Sequence, residues 1–332
     1  MINWDKMAKK KKERKIPEVL VFTDINNYHD DLASMVVLAY LAEHNYINIK
    51  GIVTELGVYE VKRRRAMYVK GAMSYLGQPF VRVVPGGDYD VIDEISENNY
   101  PENEFSKIFE NAGMTILRSG VVFLQEYIKS VKDRNIFILL NAPFADFAKY
   151  IKGSQDALKK KVKKIVAVGD VLENKTETGY YLPNPECFNF KIGYPAAETL
   201  FEYVQEKDLK MILVPSRNIK KLGMKYEFLD KIRSSKNPVA RALVEASKEN
   251  NPISMHYDMI SALALAEGLY KKSGGSIEKE ENSDKQIFFA DIVDSEIMKE
   301  KFVEIFADKL MPKKITLAQL TRKKEEVADG SD

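Results

Sequence analysis

One cysteine, Cys187, stands among 332 residues. That scarcity excludes a disulfide framework and a cysteine-based zinc site, and it fits a reducing compartment. Long apolar runs are missing too: none reaches the roughly 18 residues of a membrane span. The amino terminus lacks the apolar core of a signal peptide, so the expectation is a soluble, cytoplasmic chain with no membrane partner. There is no internal repeat. An excess of one charge sign is missing as well, the formal net being +2. The balance conceals an asymmetry, because Lys9 to Lys15 (KKKKERK) holds six basic residues and one acid. The remainder carries 45 basic against 48 acidic residues. A slightly acidic body is not what a nucleic-acid enzyme presents, so nucleic acid is not an expected partner. Residues 1–16 read as a solvated, disordered basic arm, 17–310 as one domain and 311–332 as a charged tail.

With 45% hydrophobic content, a chain of this length can bury a large core. Short apolar runs alternate with helix-patterned segments, which is the rhythm of parallel β/α units. Strands are expected at 19–22, 47–54, 80–84, 136–140, 165–168, 211–214 and 286–292. Helices are expected from Asp30, and over 58–75, 121–131, 144–151, 195–206, 226–250, 258–270 and 295–309. Residues 88–113 and 274–285, both polar, read as loops. Arg63-Arg64-Arg65 reads as a solvated helix face. The fold class is α/β, with a mixed, mostly parallel central sheet flanked by helices.

The rest of the chain is organised around Val19 to Ala42. A strand, Val19-Leu20-Val21-Phe22, gives way to the loop Asp24-Ile25-Asn26-Asn27-Tyr28-His29, and a helix opens at Asp30-Asp31. In an open α/β sheet such a loop lies beyond the carboxyl end of a strand, where ligands bind. Two acids at a helix start also serve as a cap and a dipole partner without any metal. Three carboxylates and an amide within eight residues nevertheless suit a hard cation such as Ca²⁺, which prefers oxygen ligands.

This segment resembles the opening signature of the nucleoside hydrolases, D-x-D-x-G-x-D-D followed by a helix. Ile49 to Thr54, Ile138 to Asp146 (ILLNAPFAD), Lys163 to Gly169 (KKIVAVG), Glu186-Cys187-Phe188-Asn189, Tyr194-Pro195-Ala196-Ala197, Met211 to Pro215 and His256-Tyr257-Asp258 resemble further family segments in the same order. The resemblance implies a single nucleoside hydrolase-like domain and a Ca²⁺-dependent N-ribohydrolase acting on a ribonucleoside or related ribosyl compound. It also implies a homodimer or homotetramer. In that family the metal holds the ribose and a water, and a carboxylate takes the water's proton as the glycosidic bond breaks.

Residue by residue, the resemblance makes Asp31, Asp258 and Asn141 metal ligands, Asn141 through its backbone carbonyl. Asp30 and Asn189 fall where the ribose hydroxyls are bound, Glu186 near the 5′-hydroxyl, and Asp24 at the supporting first position. Asn26 occupies the place of the second Asp, both metal ligand and general base. An amide oxygen can coordinate a cation but cannot take a proton near neutral pH. His29, Asp24 or Asp30 can stand in as the base, or the protein has exchanged hydrolysis for binding a ribosyl ligand or a protein. Tyr257 stands where many members have His, so His256 or Tyr257 is the candidate leaving-group acid. Cys187 replaces the motif Glu, Val58 an Asn, and Asp146 a turn Asn, the last read as structural. Tyr180, Tyr181 and Phe188 read as packing, one of them able to stack on a base.

Overall fold

The computed structural model describes residues 15–25, 30–87, 104–112, 119–131, 135–223, 227–249, 256–280 and 283–312. Eight strands form one sheet: β1 Glu18–Thr23, β2 Asn48–Thr54, β3 Val83–Pro85, β4 Ile136–Asn141, β5 Val162–Val168, β6 Lys210–Val214, β7 Gly275–Lys279 and β8 Ile287–Ile292. Their order is β3-β2-β1-β4-β5-β6-β8-β7. All neighbours are parallel except β7, which runs antiparallel to β8 at the edge. The chain lays strands outward from β1 to β3, then returns to lay β4, β5 and β6 on β1's other side. That reversal opens a crevice beyond the carboxyl ends of β1 and β4, where ligands of such sheets bind.

Strand β4 is buried along its whole length. Helices cover both faces, which is why the central strands are continuous apolar runs rather than alternating ones. One core contains Val19, Val21, Leu139 and Val166, and the other Leu20, Phe22, Ile138 and Leu140. The helix Asp30–Glu43 is buried from Asp31 through Leu41. It is apolar all round, as a helix enclosed by others must be.

Several expectations needed correction. The strand expected at 80–84 is only Val83–Pro85, and Phe80 in the preceding turn is 94% exposed. Pro85 is tolerated because β3 is an edge strand with no neighbour needing its missing N–H. Within the stretch read as a loop over 88–113, Glu104–Ala112 is helical, while 88–103 lie outside the described residues. Phe105 and Phe109, one turn apart, supply its buried side. The charged loop 274–285 contains β7, whose alternating Glu278 and Lys279 suit an exposed edge. Of the stretch expected as one helix over 226–250, the described residues 227–249 hold two, Glu227–Asp230 and Pro238–Glu249, the second starting at the proline. The helix at 258–270 is likewise two, Tyr257–Ala264 and Glu267–Lys272. The one begun at 144 runs from Ala145 to Lys161.

Gly71 marks a close crossing between the helices Tyr59–Tyr75 and Glu104–Ala112. A Cβ there would lie 2.0 Å from the Phe109 carbonyl oxygen. Since the obstacle is backbone, Gly71→Ala is expected to destabilise the fold by about 3 kcal/mol, read as a lower midpoint in urea unfolding.

Candidate active site

The Val19–Thr23 run ends β1 and delivers Asp24 to the crevice, where it is buried; its Oδ2 has no hydrogen-bond partner among the described residues. Asp30 and Asp31 open the next helix, and Asp30 Oδ1 accepts from the Asp31 N–H at 3.0 Å. Thr23 Oγ1 donates to Asp31 Oδ1. Asp258 arrives from the far end of the chain in the first turn of the helix Tyr257–Ala264. Two helix amino termini therefore meet at the crevice, and their dipoles favour negative charge there.

One carboxylate oxygen from each of Asp30, Asp31 and Asp258 lies within 4.8 Å of the others. Asp31 and Asp258 are almost fully buried. Burial pushes Asp24 up to about 6 despite the nearby Arg65 guanidinium. Burial, then the charge of Asp24, pushes Asp30 up to about 7. Asp31 and Asp258 are raised well above the ordinary carboxylate value by burial and then by their acidic neighbours. Such a cluster holds its protons or takes a cation. All its donors are hard oxygens, a set that fits Ca²⁺ or Mg²⁺ rather than a softer metal.

Asn141, the last residue of β4, pairs in register with Thr23. Its Nδ2 donates to Ser34 Oγ at 3.2 Å, and its Oδ1 accepts from Ser261 Oγ at 2.7 Å. The side chain thus ties together the two helices that carry Asp31 and Asp258. Ser34 and Ser261 each sit three residues after one of those acids, on the same helix face. That spacing was the available signal for both, and sequence reasoning missed it.

Above the acids lies a cavity of about 390 Å³ whose lining includes Asp24, Asp30, Asn141 and Asp258 together with Glu186, Asn189 and Tyr257. Phe188 also lines it and is half exposed, whereas Tyr181 is buried. Of Tyr180, Tyr181 and Phe188, only Phe188 is in the cavity's described lining. His256 is buried and does not line the cavity, so of the two acid candidates only Tyr257 reaches it. Asn26 and His29 lie outside the described residues. The Cys187 thiol, at the cavity wall, is pushed up to about 11 by burial and makes a poor nucleophile.

Arg65, read as part of a solvated face, is instead fully buried, and its Nη1 donates to the Glu55 and Leu56 carbonyls at 2.9 Å. It is the cationic counterweight behind Asp24, and Arg65→Met should raise the Asp24 pKa further and lower stability by about 3 kcal/mol, as loss of a buried charge partner does; chemical denaturation measures it. Asp146 is structural. Its two carboxylate oxygens accept the Gly87 N–H at 3.0 and 2.9 Å, and its own N–H donates to Glu55 Oε1 at 3.1 Å.

The type III effector protein XopQ, complexed with adenosine diphosphate ribose, superposes with a TM-score of 0.76 at 17% identity, covering 89% of this chain and 95% of that one. The inosine-uridine preferring nucleoside hydrolase from Bacillus anthracis gives 0.62 at 12% identity, over 88% and 99%. The plant nucleoside hydrolase PpNRh1 gives 0.61 at 12%, over 89% and 99%. The fold is nucleoside hydrolase-like. No protein-family model and no curated protein matches the sequence. The nucleoside hydrolase-like sheet of this chain also explains the crevice, since its strand reversal and its acids occupy the same edge. No helix among the described residues is long and apolar enough to cross a membrane.

Proposed function

We propose that the protein hydrolyses the N-glycosidic bond of a ribonucleoside or related ribosyl compound on a Ca²⁺ site formed by Asp30, Asp31, Asp258 and the Asn141 carbonyl. The convergence of three carboxylates beneath an open cavity carries this reading. A bound cation would supply charge to orient the ribose diol and acidify a water. Asp30 and Asn189 then hydrogen-bond the ribose hydroxyls, Glu186 the 5′-hydroxyl, and Tyr257 donates toward the departing base. Asn26 cannot accept the water's proton. Asp24 lines the cavity with a buried oxygen that has no hydrogen-bond partner among the described residues, and we assign it the acceptor role in this chain.

A base-release assay over a panel of ribonucleosides with added Ca²⁺ tests this. Turnover should vanish in Asp31→Ala and fall about 10²- to 10⁴-fold in Asp24→Asn, the usual cost of losing a positioned base. A second reading is favoured by Asn26 and by the ADP-ribose in the XopQ complex: the same site binds a ribosyl ligand without cleaving it. Saturable, Ca²⁺-dependent binding of ADP-ribose with no product on prolonged incubation would select that reading.

A further inference from the structure

The parallel strands all begin at the edge of the sheet opposite the acids. Along that edge come Arg82 just before β3, Lys50 in β2, Lys15 just before β1 and Lys163 in β5. Four inter-strand steps separate the first from the last, roughly 19 Å at the usual strand spacing. A cavity of about 660 Å³ opens there, lined by Lys15, Lys50 and Arg82, by the polar Asn48 and Gln78, and by Phe80. The Phe80 ring is 94% exposed at its rim. The acid in the described lining, Glu18, is already engaged: it accepts from the Tyr127 hydroxyl at 2.6 Å and faces Lys50 at 3.6 Å. Lys15, the first described residue, lines the cavity, and Lys9 to Arg14 precede it in the sequence.

We propose that this edge binds single-stranded nucleic acid. Cations spaced along a groove with an exposed aromatic ring are what such a strand requires, phosphates meeting the cations and a base stacking on the ring. Asn48 and Gln78 offer hydrogen bonds to a base edge. Lys15, Lys50 and Arg82 line a hollow rather than a flat face, which favours a strand threaded along it over a lipid surface. The small negative net charge of the body does not oppose this, because Asp24, Asp30, Asp31 and Asp258 sit at the far edge. Here the polarity of the sheet separates two charge fields that the overall composition averages out.

The test is fluorescence anisotropy of the full chain with a labelled single-stranded 12-nucleotide RNA across 50 to 200 mM salt. Binding that weakens steeply with salt is expected. Phe80→Ala should lose affinity on the order of tenfold, as removal of one stacking platform does. Arg82→Glu should weaken binding and make the slope of log affinity against log salt shallower by about 0.7, one phosphate contact on a single strand. Both residues are exposed, so both variants should fold, which circular dichroism verifies. Absence of salt-dependent binding overturns the proposal. So does binding that is lost on deleting residues 1–14 yet indifferent to Phe80→Ala and Arg82→Glu, since the arm would then act without the cavity. Binding to vesicles containing anionic phosphatidylserine but not to the RNA overturns it too.

Discussion

In an Asp24→Asn background, Asn26→Asp is expected to raise N-ribosyl hydrolysis by about 10²- to 10⁴-fold, the gain a positioned general base supplies. Asn26 lies two residues after Asp24 and four before Asp30, in the place where the resembling motif has a carboxylate. The substitution is nearly isosteric. It replaces an amide that cannot accept a proton near neutrality with a group that can, and it adds a unit of negative charge to the segment between Asp24 and Asp30. Turnover should therefore rise while the Ca²⁺ concentration needed for half-maximal activity falls. The control is the same substitution in an Asp31→Ala background, where the gain should disappear. A gain from an inactive wild type would mean that the ribose site is intact and the protein works by binding. An active wild type with no gain would leave proton transfer with Asp24. A gain that survives Asp31→Ala would detach the chemistry from the metal site altogether.

How much of this was legible in the sequence depended on whether the signal was local. The strand–loop–helix of Val19 to Ala42 was readable because its apolar run, polar loop and paired acids are contiguous. The sheet followed from the same alternation, and its mostly parallel form is what the structure has. Asp258 was different: only the resemblance tied it to Asp30 and Asp31, since nothing local pairs residues that far apart. Arg65 was misread because it sits in a run of three arginines. Its neighbour Arg63 does pair with Glu60 near the surface, but the helix turns Arg65 inward toward carbonyls that a linear reading cannot locate. The helix Glu104–Ala112 was hidden for a similar reason. Its polar residues outnumber the two phenylalanines that bury it, and Phe109 packs on Tyr68 and Tyr75, which come from another helix.

The metal-free protein should lose stability as pH rises from about 4 to 7 and regain it on adding Ca²⁺. Asp24 and Asp30 have an ordinary value of 3.8 and are raised to about 6 and about 7 in the fold. Between those limits the folded state keeps protons that the unfolded chain has already released, so raising the pH favours unfolding. For these two acids the contribution is complete below about pH 4 and is lost as the pH rises through about 6 and about 7. Asp31 and Asp258 shift the same way. A cation reverses the sign by making the charged form the preferred one. At a hundredfold excess over its dissociation constant it adds about 2.7 kcal/mol, worth several degrees in melting temperature for a chain of this size. Differential scanning fluorimetry at pH 5 and 7.5, with EDTA or with Ca²⁺, reads both effects. Asp31→Asn separates the causes: with one repelling charge removed, the metal-free variant should melt above the wild type at pH 7.5, and the Ca²⁺ shift should be lost. A wild type indifferent to Ca²⁺ at pH 7.5 would mean that the three carboxylates keep their protons at neutrality, and the proposed metal-dependent chemistry would fall with them.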